Sequence, residues 1–258
     1  MPLNTPRLAR AAAALAVLLV LASAPVHAQE TPPLPHQQWS FDGVFGTYDP
    51  AGLQRGFQVY KQVCSACHAV THLYFRDLVE IGYTAAEVKA LAATYQCGAG
   101  PNDQGQMYQR PCLSSDPIPG PFPNEEAARA ANGGALPPDQ SLLVAARAGG
   151  PDYVYAILNG YKPAPSGVEV PAGKYYNEYF PGHMISMPPP LSEGAVTYAD
   201  GTKASVPQMA HDAATFLTWA SHPNLDSRHE IGAKVFLFLI VVVGIFYAAK
   251  RKIWSRIH

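Results

Sequence analysis

The hydrophobic positions along the chain form three different patterns. Residues 11–22 are an uncharged apolar run, and residues 231–249 form a second apolar run with one charge, Lys234. Between them, short amphipathic segments alternate with stretches rich in proline and glycine. The pattern predicts a central exported domain between two segments that interact with membranes.

The first apolar run is typical of a cleaved secretory signal. Arg7 and Arg10 precede it, and Val26-His27-Ala28 places small residues where signal peptidase needs them. We therefore predict that residues 1–28 are removed. An N-terminal membrane anchor is the alternative, but the run is short for a bilayer. A transit peptide would be rich in Arg and Ser, without one apolar block.

The second apolar run predicts a transmembrane helix. As a helix, residues 231–249 would be about 28 Å long, close to the thickness of the hydrocarbon core. A basic cluster follows the run: Lys250, Arg251, Lys252 and Arg256. Because basic flanks stay in the cytoplasm, we expect residues 250–258 inside the cell and the preceding domain outside. The basic cluster argues against the alternative of a buried core helix.

The net charge of −1 conceals an acidic central domain. Residues 29–230 contain 11 Lys and Arg against 19 Asp and Glu, a net charge of −8. An acidic outer domain would attract basic diffusible partners, although acidic surfaces also keep exported proteins soluble. The chain offers no basic face for nucleic acid. Only 14% charged residues and 25 prolines argue against a coiled coil, a charged disordered chain or a regular helical bundle.

The central domain contains a CxxCH motif at residues 64–68, which predicts covalent attachment of a c-type haem. The thiols of Cys64 and Cys67 are spaced to add to the two vinyl groups on one haem edge. His68 then supplies an imidazole nitrogen as an axial ligand of the iron. The single copy predicts one haem.

The segment before the motif predicts a helix that packs against the haem. Asp49 is a typical helix cap, and Pro50 suits the first helical turn. A one-sided apolar stripe follows, with Val63 alongside it: Leu53, Phe57 and Tyr60.

Other uses of a CxxC pair fit less well. A thioredoxin-like pair requires a βαβ pattern, which is not evident, and a zinc ribbon requires a second CxxC. The remaining cysteines, Cys97 and Cys112, lie 15 positions apart, separated by a segment whose glycines and prolines favour a loop. We expect them to form a disulfide worth roughly 3 kcal/mol, with two free buried thiols as the alternative.

The second axial ligand determines whether the iron is open to small molecules. Methionine suits electron transfer, whereas an open position favours gas or peroxide chemistry. Met187 is favoured over Met184, because three prolines follow it and stiffen its loop. Most methionines fill cores, and four histidines remain alternatives: His72, His183, His211 and His222.

A second segment, residues 132–139, also suits a cofactor. Its small and kinked residues allow close approach of backbone to a flat ring. A helix is expected over residues 140–148, and a second helix is expected to begin at Pro151. Arg147, the only cation between Arg129 and Lys162, is a candidate partner for a haem propionate or, equally, for a surface ion pair.

Together these segments resemble the cytochrome c1 family. The resemblance covers residues 40–258 and adds four segments to the haem motif: 55–60, 129–139, 147–150 and 215–220. Two shorter ones, 175–177 and 187–189, complete it. The sequence departs from the family at Gln140, where an apolar residue is usual, and the Cys97–Cys112 pair is not general to the family.

The resemblance implies a mostly α-helical fold, a class I cytochrome c-like core with long irregular insertions. It strengthens the assignment of His68 and Met187 as axial ligands. It also places six further residues near the haem or its propionates: Asn132, Ala135, Pro137, Pro138, Arg147 and Tyr153.

The resemblance also implies a role as one subunit of a quinol–cytochrome c oxidoreductase of dimeric organisation. Such a subunit takes electrons from a Rieske iron–sulfur protein beside cytochrome b and passes them to a soluble cytochrome c. The chain alone would not be an enzyme. The alternatives are a membrane-tethered electron shuttle outside such a complex and a haem enzyme with an open axial site.

Overall fold

Six α-helices and two short antiparallel hairpins form the regular structure of residues 31–255, the part of the chain that the computed structural model describes. The predicted signal, residues 1–28, lies outside the described residues. The helices are α1 (Pro50–Gln62), α2 (Ala85–Ala92), α3 (Glu125–Ala131), α4 (Gly150–Asn159), α5 (Val206–Ser221) and α6 (Leu225–Trp254). Short 3₁₀ helices span Cys64–Ala66 and Phe75–Ile81. The hairpins pair β1 (Gln96–Ala99) with β2 (Tyr108–Pro111) and β3 (Tyr175–Tyr176) with β4 (Met184–Ile185). The predicted mostly α fold is confirmed.

Helix α1 begins as its sequence predicts. The Asp49 carboxylate accepts hydrogen bonds from the backbone N–H groups of Ala51 and Gly52, at 3.2 and 2.9 Å, and Pro50 occupies the first turn. The predicted apolar stripe faces the core, and its three residues are each 3% exposed: Leu53, Phe57 and Tyr60.

The core is formed where α1 crosses α5. Gly56 allows the close approach, because a Cβ atom at this position would lie 2.0 Å from the backbone oxygen of Asp212. Three apolar residues of α5 are buried at the crossing: Phe216, Leu217 and Trp219. Helix α4 packs against another part of α5. The segment after α1, which carries the CxxCH motif, therefore follows directly from a helix that is packed into the core.

Helix α6 contains the predicted membrane segment but is longer. It begins at Leu225, so the predicted domain boundary before residue 231 falls inside a continuous 30-residue helix. Among residues 31–255, it is the one helix long and apolar enough to cross a membrane. Leu225 packs against the main core, whereas from Ile231 onward nearly all of the large apolar side chains of α6 are exposed among the described residues.

Two local expectations were wrong. Residues 141–149 form a series of turns instead of a regular helix. The N–H of Gln140 donates to the Ala69 carbonyl, and that of Ser141 donates to the Asp139 side chain, both at 2.8 Å, so the start of this segment is joined to the chain just after the CxxCH motif. Part of the Cys97–Cys112 segment, expected as a loop, forms the β1–β2 hairpin.

Candidate haem-binding site

The CxxCH motif forms one tight turn immediately after α1. The N–H groups of Cys67 and His68 both donate to the Cys64 carbonyl, at 3.1 and 2.9 Å. Both thiols are free; Cys64 is half-buried and Cys67 is exposed. Cys64 also contacts the two clusters of buried apolar residues in the domain. One thiol therefore lies against the core and the other faces outward, within a single turn.

The His68 ring is fixed in one tautomer by its surroundings. Its Nδ1 atom lies 2.8 Å from the carbonyl oxygen of Pro138, and because a carbonyl can only accept, Nδ1 carries the proton. Burial lowers the pKa of His68, which favours the neutral ring. The lone pair of Nε2 is then available to bind a metal.

Asp139 joins the segment after the CxxCH motif to the second predicted haem segment. Its carboxylate accepts from the backbone N–H and hydroxyl of Thr71, at 3.0 and 2.9 Å, and from the Ser141 N–H. Partial burial raises the pKa of Asp139, but the hydrogen bonds from Ser141 and Thr71 outweigh it and leave the pKa lowered. The ionised Asp139 carboxylate therefore fixes the neighbouring Pro138, whose carbonyl accepts the hydrogen bond from His68.

Met187 is held by a different part of the fold. Its backbone carbonyl accepts a hydrogen bond of 3.0 Å from the hydroxyl of Tyr161, just beyond α4, and its side chain is half-buried. Asn177 secures the same region: it is fully buried, its side chain donates to the Ile157 carbonyl at 2.8 Å, and its N–H donates to the His183 carbonyl at 2.9 Å. Sequence reasoning missed Tyr161, because no local pattern signals a contact between residues 26 positions apart.

The remaining predicted haem contacts fall into two groups. Asn132 ends α3 by donating to the Ala128 carbonyl at 2.7 Å, and the small and kinked residues that follow lead to the acceptor of His68: Ala135, Pro137 and Pro138. Arg147 lies beside Tyr153. Burial raises the pKa of Tyr153, and the smaller opposing effect of Arg147 leaves that pKa raised. Within residues 31–255, Arg147 forms no ion pair, and its guanidinium donates only to the Ala146 carbonyl.

Cys97 and Cys112 form the predicted disulfide, with their Cα atoms 5.0 Å apart. Arg110 makes a two-pronged contact with Asp116 beside it, at 2.6 and 3.0 Å, which lowers the pKa of Asp116 to about 2. Asp116 lies near both sulfur atoms, but they are bonded to each other and cannot serve as thiolate ligands. The bridge therefore stabilises a hairpin and leaves the thiols of the CxxCH motif unpaired.

The donor set of this site fits a c-type haem. Two free thiols lie in one turn, the adjacent imidazole presents Nε2, and a methionine is held in a proline-stiffened loop. A redox-active CxxC pair fits less well, because burial raises the pKa of Cys64 to about 12 and disfavours the reactive thiolate.

Comparison with known proteins identifies the family of the chain. The model of the Cytochrome C1 family matches residues 39–257. A cytochrome c1 of Rhodospirillum rubrum is 48% identical over 86% of this chain and 87% of its own length. A mitochondrial cytochrome c1 heme protein of Arabidopsis thaliana is 45% identical over 89% of this chain and 74% of its own. A cytochrome b/c1 of Bradyrhizobium diazoefficiens is 47% identical over 87% of this chain, which spans only 36% of that longer protein. The chain belongs to the cytochrome c1 family.

Proposed function

We propose that this chain carries one haem c, bound through thioether bonds to Cys64 and Cys67, with His68 and Met187 as the axial ligands of its iron. One observation carries the proposal: two free thiols and His68 lie in a single turn, and Nδ1 of His68 already donates to the Pro138 carbonyl. That hydrogen bond leaves Nε2 as the free ring nitrogen, as haem ligation requires.

The other predicted contacts have separate roles around the ring. Asn132 ends α3, and the segment that follows it provides small and kinked residues for close approach to a flat ring: Ala135, Pro137 and Pro138. Arg147 and Tyr153 would face the propionates. Because Arg147 has no carboxylate partner within residues 31–255, its guanidinium is available for a two-pronged contact with a propionate.

When bound, haem c supplies a one-electron redox couple. His68 and Met187 would fill both axial positions, which leaves no open site for oxygen or peroxide. The proposed function is therefore electron transfer rather than haem-based oxidation. In this view the chain is not an enzyme by itself.

As a cytochrome c1, the chain would serve as the c-type cytochrome of a ubiquinol–cytochrome c reductase of dimeric organisation. It would accept electrons from a Rieske iron–sulfur protein and deliver them to a soluble cytochrome c. The name of the Bradyrhizobium relative joins cytochrome b and c1 in one protein, which supports cytochrome b as a partner. Co-purification with cytochrome b separates this function from that of a tethered shuttle.

Helix α6 would anchor the chain in a bacterial inner membrane. The basic residues 250–252 at its end favour a cytoplasmic C-terminus, which places the haem domain on the periplasmic side. Removal of residues 1–28 as a signal agrees with this orientation.

The haem attachment is tested by the solubility of the pigment. We expect the full chain, purified in detergent, to be coloured and to keep its pigment in acidified acetone, because thioether bonds survive a solvent that extracts non-covalent haem. A colourless protein, or pigment that passes into the acetone, would exclude covalent attachment to Cys64 and Cys67.

Electrostatic attraction of a basic acceptor predicts a salt-dependent rate. The net charge of −8 on residues 29–230 should raise the association rate at low ionic strength. Reduction of a basic cytochrome c by the purified protein should therefore slow steeply as salt is added, whereas reduction of an uncharged electron acceptor should change little. Equal salt dependence for both acceptors would show that the acidic domain does not attract the basic acceptor electrostatically.

A further inference from the structure

Two of the three most exposed large apolar side chains of residues 31–224 lie in one tight turn beside α6. Phe45 is 83% exposed, more than any large apolar residue of α6, and Val44 is 68% exposed. Two glycines shape this turn, residues 43–46. Gly43 has a positive φ of 79°, and a Cβ at Gly46 would lie 2.2 Å from the Asp42 carbonyl oxygen. The two glycines therefore permit a tight turn that has Val44 and Phe45 at its tip.

The base of the turn is rigid. Ser40 and Thr47 are joined by a backbone hydrogen bond of 3.0 Å. The aromatic residues on either side are at most 8% exposed and belong to the main core: Trp39, Phe41 and Tyr48. A buried base with an exposed tip holds Val44 and Phe45 outward at a fixed place, unlike a mobile surface loop.

Hydrogen bonds fix the turn to the start of α6. Nδ1 of His229 lies 2.7 Å from the carbonyl oxygen of Gly46, and the N–H of Tyr48 donates to Asp226 at 3.2 Å. His229 precedes the apolar run that begins at Ile231 by two residues, or about 3 Å along the helix. The turn therefore lies level with the place where the helix becomes apolar.

We propose that Val44 and Phe45 insert into the interfacial region of the membrane beside α6. This region lies between the water and the hydrocarbon core and is several ångströms thick, so it includes the level of the 43–46 turn. Lipid is the favoured occupant, because the turn lies at the level where the bilayer meets water and the two side chains offer only apolar surface. With α6, the tip gives the haem domain a second point of attachment. This inference rests on the proposed membrane anchor.

Photocrosslinking in the membranes of the producing cells tests the contact. The full chain carries Phe45→p-benzoylphenylalanine; the control is Met107→p-benzoylphenylalanine, 74% exposed in the segment that joins β1 to β2. After irradiation, mass spectrometry should find a phospholipid adduct on the peptide that contains residue 45, several-fold more abundant than at residue 107. A protein adduct at residue 45 in place of lipid, no adduct there, or equal lipid adducts at both positions would overturn the proposal.

Extraction of the same membranes with alkaline carbonate tests the α6 anchor separately from the insertion of the 43–46 turn. A chain that resists extraction but gives no lipid adduct at Phe45 leaves the α6 anchor intact and overturns only the role of the 43–46 turn. A chain that carbonate releases overturns both the anchor and the insertion.

Discussion

Replacement of Met187 with alanine should lower the haem potential and abolish the weak absorption band of the methionine–iron bond. Methionine ligation favours the reduced iron, and axial ligands set haem potentials over a range of about 0.8 V. We expect the Met187→Ala protein to lose a sizeable part of that range. Its iron should also become accessible to carbon monoxide, because alanine offers no replacement ligand. A redox titration followed in the visible spectrum measures both changes.

Met184→Ala is the matched control. Met184 lies three residues earlier in the same region, within β4, and its side chain is also half-buried. Its loss should leave the potential and the spectrum close to those of the unsubstituted protein. If Met184→Ala lowers the potential and Met187→Ala does not, the ligand is Met184. If neither substitution has an effect, a histidine is the ligand.

The elements that the sequence predicts correctly are those whose signals are local. Asp49 caps α1 and Pro50 is its first residue, as predicted. The cap depends on side chains within three residues of the helix start, so pattern and structure agree. The CxxCH motif is local in the same sense, because its three functional groups lie within one turn.

The parts that sequence reasoning missed depend on contacts between distant segments. Residues 141–149 have a helical pattern but form turns, and the N–H of Gln140, just before them, donates to Ala69, more than sixty positions away. The position of Met187 depends likewise on the hydrogen bond from Tyr161, and the orientation of the His68 ring depends on the Pro138 carbonyl. In each case a tertiary hydrogen bond supplies a partner that no spacing rule indicates.

A buried ion pair joins the helix that precedes the haem motif to α5. Nε of Arg55 lies 3.1 Å from the carboxylate of Asp212, which is completely buried and also accepts from Gln208. The Arg55 guanidinium also lies 2.9 Å from the carboxylate of Asp200, whose side chain is 42% exposed. A third carboxylate, that of Asp49, lies 3.8 Å from the guanidinium, so Arg55 has one buried partner and two exposed partners.

Replacement of Asp212 with alanine should be among the most destabilising single substitutions in the domain. It leaves the Arg55 charge partly buried without its inner partner, and breaking a buried pair typically costs 3–5 kcal/mol. Because Asp200 still contacts Arg55, we expect a loss of about 3 kcal/mol, the lower end of that range. Unfolding of the full chain in detergent by urea, which adds no ionic strength, followed by circular dichroism, measures the loss.

Asp200→Asn provides the comparison on the same arginine. It removes the exposed charge, and exposed ion pairs are worth at most about 1 kcal/mol, so its effect should be several-fold smaller. Adding salt should reduce that small effect further and leave the effect of Asp212→Ala almost unchanged, because screening acts on exposed charges. Equal losses for the two substitutions would show that burial of Asp212 is not what makes the pair important.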